Sequence, residues 1–103
     1  MAPRKRDDVH SAMIRKGFRL SDNDHHRLVY IALDKHKTSI WTKTSHGSSH
    51  RDISDDNLRK MARQCKLPNK EFARLLDCPL SQEEYEKILL ESGQIAATNE
   101  SAD

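Results

Sequence analysis

Six histidines in 103 residues give a small chain a dense supply of imidazole. Imidazole accepts and donates protons most readily near neutral pH. Two of the six flank a run of strand-forming residues, with His25 opening it and His46 closing it. The polar stretch Asp34-Lys35-His36-Lys37 reads as a hairpin loop. With its centre between Lys35 and His36, Ile31 opposes Ile40, Tyr30 opposes Trp41 and His25 opposes His46. Directly opposed residues have Cβ atoms about 4.5–5.5 Å apart, and two imidazoles at that spacing could divide base and acid duties on a ribose 2′-hydroxyl and its phosphodiester. The plainer alternative is a pair of hydrogen-bonding residues at a hairpin mouth. Around the same mouth Arg27, Lys43, Arg51, Lys60 and Arg63 supply positive charge, and Ser48 offers a hydroxyl for phosphate oxygens. His10, His26 and His36 read as surface residues, and Tyr30 and Trp41 read first as core.

Other chemistries find little support. His46 and His50 are spaced His-x3-His and two cysteines follow at 65 and 78, but the spacing is unlike a compact zinc motif. Cys65 falls on an apolar helical face and Cys78 precedes Pro79, so both read as structural and no metal site is expected. The three glycines, 17, 47 and 93, stand alone at element boundaries and build no phosphate-cradling loop. No cofactor is expected.

The formal net charge of +2 hides a strong asymmetry. Residues 1 to 76 hold 17 Lys/Arg against 9 Asp/Glu, and residues 77 to 103 hold 1 against 7. A basic body attracts polyanions, of which nucleic acid is the commonest in a cytosol. The longest apolar run is Leu28 to Leu33, six residues, far short of a membrane span. The basic start, Met1 to Arg6, is followed by no apolar signal core. A cytoplasmic protein without a membrane partner is the expectation.

These side chains must be positioned by a small set of elements. Residues 1–6 read as a disordered basic arm. Val9, Ala12, Met13 and Lys16 share one helical face that starts at Asp7-Asp8 and stops before Gly17. Phe18 to Ser21 reads as a short strand, followed by the hairpin, in which Val29, Ile31, Leu33 and Ile40 form the better core face. Ser54 caps a second helix with Leu58, Met61, Ala62 and Cys65 on its apolar side. Pro68 ends it, and Asn69 caps a third helix burying Phe72, Leu75 and Leu76. Ser81 and Glu84 form a capping box for a fourth helix running to Gly93. The fold class is α+β: a helix, a three-stranded antiparallel sheet, then helices packed on one face. The division is a domain over 7–67, a helical extension over 68–93 on the same domain, and a disordered tail over 94–103.

The ordered set Gly17-Phe18, Asp24-His25-His26, Thr38-Ser39-Ile40, His46-Gly47, Asp52-Ile53 and Asn57-Leu58-Arg59 resembles the HicA-type toxin superfamily. These are small prokaryotic mRNA interferases with a double-stranded-RNA-binding-like fold. The resemblance covers about residues 8 to 67. It implies an RNA-binding protein and a metal-independent endoribonuclease in which His25, with His26 as a one-residue alternative, is the catalytic position. It also implies a cognate antitoxin as partner to a monomer or homodimer. Asn23-Asp24 stands where the family carries small residues, and a carboxylate beside His25 favours the charged imidazole and repels phosphate. Two alternatives therefore stay open: the same surface without turnover, and a protein-interaction module built on Leu75, Leu76, Tyr85, Ile88 and Leu89.

Overall fold

The computed structural model describes residues 2–21, 26–44, 52–77 and 79–95. It is an α+β structure with a three-stranded antiparallel sheet and four helices. In chain order the elements are β1 (Arg4–Lys5), α1 (Arg6–Arg15), β2 (Phe18–Ser21), β3 (His26–Ile31), β4 (Lys37–Thr44), β5 (Asp52–Ile53), α2 (Asp55–Gln64), α3 (Asn69–Leu76) and α4 (Gln82–Glu91). The main sheet has the order β2-β3-β4. Arg4 and Lys5, expected in a disordered arm, instead pair antiparallel with Ile53 and Asp52. The Arg4 guanidinium also donates two hydrogen bonds to the Asp77 carboxylate, at 2.7 and 3.1 Å.

Helix α1 buries the expected stripe of Val9, Ala12, Met13 and Lys16. The ammonium of Lys16 donates to the carbonyls of Leu75 and Leu80, so a buried cation meets the carbonyl end of α3. Ser54 caps α2 by accepting from the Asn57 amide. The cap of α3 is Pro68 and not Asn69, which is already helical; a proline before the first turn forgoes only a donor that no helical carbonyl would meet. Ser81 and Glu84 form the capping box of α4.

The hairpin departs from the expected register, and the departure inverts one strand. The loop closes between Ala32 and His36, whose backbone groups bond at 2.9 Å, with Lys35 at φ 77°. Ile31 therefore opposes Lys37, while Val29 opposes Trp41, Leu28 opposes Thr42 and His26 opposes Thr44. Between these pairs β4 bulges, setting Thr38 to Ile40 against Tyr30. The Thr38 hydroxyl donates to the Tyr30 carbonyl at 2.8 Å and accepts from the Ile40 amide at 3.1 Å, occupying groups the interrupted ladder leaves over. The combined offset is one residue from the expected register, and a one-residue slip exchanges the faces of a strand. Leu28, Tyr30 and Ala32 are buried, whereas Leu33, expected in the core, is exposed and Val29 and Ile31 are only half-covered. Ile40 is buried as expected.

The helices cover that buried face. Helix α1 lies beside β2 and α3, and α2 beside β4 and α3. Helix α4 closes the structure against Gly17: Tyr85, Phe18 and Tyr30 form an aromatic cluster with ring centroids 5.0 to 5.8 Å apart. Gly17 sits at φ +100°, and a Cβ there would fall 2.3 Å from the Gln82 amide nitrogen. The positive φ favours glycine, and a side chain there would also have to displace the Gln82 amide and crowd the Tyr30 ring. Phe72, Leu75, Tyr85 and Leu89 are completely buried, so α3 and α4 share the hydrophobic core of the described residues.

Candidate active site and nucleic-acid interface

At the end of the sheet where β3 starts and β4 stops, three elements bring polar side chains together. His10 projects from α1, His26 from the first residue of β3, and Thr44 from the last residue of β4. His26 and Thr44 are direct cross-strand partners. His10 Nε2 and the Thr44 hydroxyl share a hydrogen bond of 2.8 Å whose direction follows the imidazole tautomer. The rings of His10 and His26 meet edge to face with centroids 5.0 Å apart. His10 is buried and His26 half-buried, so His26 is the more open imidazole of the pair.

Burial holds His10 below the ordinary imidazole value, and the nearby His26 and Arg6 charges push it the same way against a smaller pull from Asp7. Desolvation and like charge both disfavour the imidazolium, which leaves a neutral ring at pH 7. A neutral imidazole beside a second, more accessible one is an arrangement suited to proton transfer. The expectation that His10 and His26 are plain surface residues is corrected by this cluster. In the sequence His10 is three residues from Met13, on the flank of the apolar stripe, and His26 has the parity of Leu28 and Tyr30, but that this parity is the covered one only the packing decides.

His25, His46, Ser48 and Arg51 lie outside the described residues, as do His50 and Cys78. The register in which His25 was to oppose His46 does not hold where it can be read, because the described pairs are offset by one residue. The basic residues expected around one mouth separate into two layers. Arg27 and Lys43 are cross-strand partners on the face turned away from the helices. Lys60 and Arg63 project from α2, whose Leu58, Met61 and Ala62 pack into the core on the other side of the sheet.

The uncovered face presents two cross-strand rows, Arg19–Val29–Trp41 and Ser21–Arg27–Lys43. Trp41 and Tyr30, expected on one face, occupy opposite ones: Tyr30 is fully buried and Trp41 is 41% exposed. The Arg27 guanidinium lies 4.8 Å from the centre of the indole, within the range of a cation–π contact. Arg19, Arg27, Val29, Ile31, Lys37 and Trp41 line a shallow concavity there. Strands β2, β3 and β4 contain no carboxylate among their described residues.

Among the described residues no group of three or more His, Cys, Asp or Glu side chains is assembled for a metal ion. Cys65 is fully buried, and desolvation pushes its thiol well up, away from the reactive thiolate. No described helix is long and apolar enough to cross a membrane. Comparison with known proteins finds no match, whether to a family model, a curated protein or a solved structure.

Proposed function

We propose that the protein binds RNA and cleaves it without a metal, through histidines at the end of the sheet where β3 begins. The observation that carries this reading is the His10–His26–Thr44 cluster with Arg6 nearby. A neutral imidazole takes the proton of a ribose 2′-hydroxyl, the freed oxygen attacks the adjacent phosphorus, and a protonated imidazole gives its proton to the departing 5′-oxygen. The products are a 2′,3′-cyclic phosphate and a 5′-hydroxyl. His26 is the more exposed member of the pair, and buried His10 positions it. His25, next in sequence to β3, and His46, two residues after β4, are the candidates for the second proton-transfer group. The resemblance to HicA-type toxins favours the same reading and implies a double-stranded-RNA-binding-like fold. The order α1, β2 to β4, α2, with both helices on one face, fits that fold. An antitoxin partner belongs to this proposal as well.

The test is incubation of single- and double-stranded RNA in EDTA with the parent protein and with its His25→Ala, His26→Ala and His46→Ala variants. At least one variant is expected to cut about a hundredfold or more slowly while still binding RNA, in line with the contribution of general acid–base catalysis. Equal cleavage by all four proteins would identify a contaminating nuclease and remove the catalytic reading. Binding without cleavage by the parent would leave a second reading, an RNA-binding protein without turnover. That reading is favoured by Asp24 beside His25, whose charge opposes an incoming phosphate.

A further inference from the structure

We propose that the uncovered face of the β2-β3-β4 sheet is a platform for single-stranded RNA, on which Trp41 stacks a base while Arg19, Arg27 and Lys43 hold the neighbouring phosphates. The inference rests on the RNA reading above and names the form of RNA the protein takes. A large indole left 41% exposed on the edge strand β4, on the uncovered face, is available for contact. Its cross-strand row puts Val29 beside it and Arg19 at the far edge, and the adjoining row puts Arg27 and Lys43 next to it. Unstacked bases are held on aromatic rings and on guanidinium planes, and here one of each is stacked at 4.8 Å. Such stacking is sequence-tolerant because every base offers a π-face.

The chemistry of the face selects among possible occupants. A duplex keeps its bases stacked inside, so an exposed indole gains nothing from it and only the cations would engage. A protein interface depletes charge at its centre, whereas the central strand of this face, β3, carries Arg27. The absence of any carboxylate from the described strand residues makes the whole face attractive to a polyanion. The histidine cluster and the Arg27–Lys43 pair occupy the same end of the sheet, on its two faces, so a strand laid along the platform reaches the end where proton transfer is proposed.

Trp41 is the only tryptophan of the chain, so its fluorescence reports on this face alone. The experiment titrates the full chain with a 2′-O-methyl oligonucleotide, which cannot be cleaved through the 2′-oxygen, first single-stranded and then as a duplex, and with poly-glutamate. Single-stranded RNA is expected to quench the indole and to bind more tightly than the duplex. By anisotropy of a labelled oligonucleotide, Trp41→Ala should lose about tenfold or more in single-strand affinity, Trp41→Phe should keep most of it, and Arg19→Gln should flatten the salt dependence. Thermal unfolding checks that the variants are folded. RNA binding with no quenching and with Trp41→Ala unaffected would overturn the platform while leaving the RNA reading intact. No RNA binding by any protein would overturn both. Quenching by poly-glutamate alone would assign the face to an acidic protein partner, against this proposal.

Discussion

The two faces of the three-stranded sheet are built from the same strands and treat polar chemistry in opposite ways. On the covered face the buried side chains of Thr42, Thr44 and Tyr30 have internal partners. Thr42 donates to the Gln64 side-chain oxygen Oε1, Thr44 meets His10, and the Tyr30 hydroxyl donates to Glu86 at 2.6 Å. Glu86 also accepts from the Leu33 amide at 2.9 Å, so one carboxylate ties α4 to the end of the hairpin. On the uncovered face Arg27 lies against the exposed Trp41 indole and Lys43 is exposed. An unpaired buried polar group costs about 1–3 kcal/mol, which explains the pairing on one side, and no such penalty acts on the other. Stability is therefore concentrated on the covered face, and exposed positive charge on the open one.

The sharpest way to break this comparison is to remove residues 68–103. The deletion takes away Phe72, Leu75, Tyr85 and Leu89, all completely buried, and exposes Tyr30 and Phe18. Single large-to-small substitutions at such aromatic positions cost about 3–5 kcal/mol, and a small domain has about 5–15 kcal/mol in all. The shortened chain is expected to lose cooperative unfolding in urea. A cooperative transition would mean that α3 and α4 form an appended layer that could act as a removable cover.

A middle-sized effect is expected from pH. His10 on the covered face is held below the ordinary imidazole value of 6.5, chiefly by burial. Above that value the imidazole is neutral in both folded and unfolded chains, and this contribution to stability is fully present. As the pH falls below it, the unfolded chain takes up a proton that folded His10 resists, so stability is lost towards acid. Urea midpoints at pH 7.5 and 5.5 should fall for the parent and fall less for His10→Gln, which keeps a polar partner for Thr44. Equal losses in both proteins would place the pH dependence elsewhere.

The smallest effect on stability belongs to the open face. Lys43→Gln removes a cation opposite Arg27 with no buried contact, and its unfolding midpoint should match the parent to within about 0.5 kcal/mol. RNA affinity at low salt should nevertheless drop. A loss of 2 kcal/mol or so in unfolding free energy would show that the open face contributes to the fold as the covered one does.

The helices were legible in the sequence because their signals are local. The stripe Val9, Ala12, Met13, Lys16, the Ser54 cap and the Ser81–Glu84 capping box each need only residues within two turns, and each occurs as the spacing implies. The β1–β5 pair was not legible, whereas the three strands of the main sheet and their antiparallel pairing were legible from the same short-range signals. The face each strand turns to the core was not. Leu28 to Leu33 is apolar at every position, so alternation within β3 favours neither side, and the decision passed to the loop and to the bulge at Thr38 to Ile40. These depend on which side chains the helices can cover, a matter of contacts between residues far apart in the chain. The same cause governs the candidate site. The sequence by itself determined that imidazoles, cations and one indole cluster near a hairpin. Tertiary packing alone decided that His10 on the first helix would meet His26, and that Trp41 would be left outside while Tyr30 went in, because a strand has two faces and only the packed layer chooses between them.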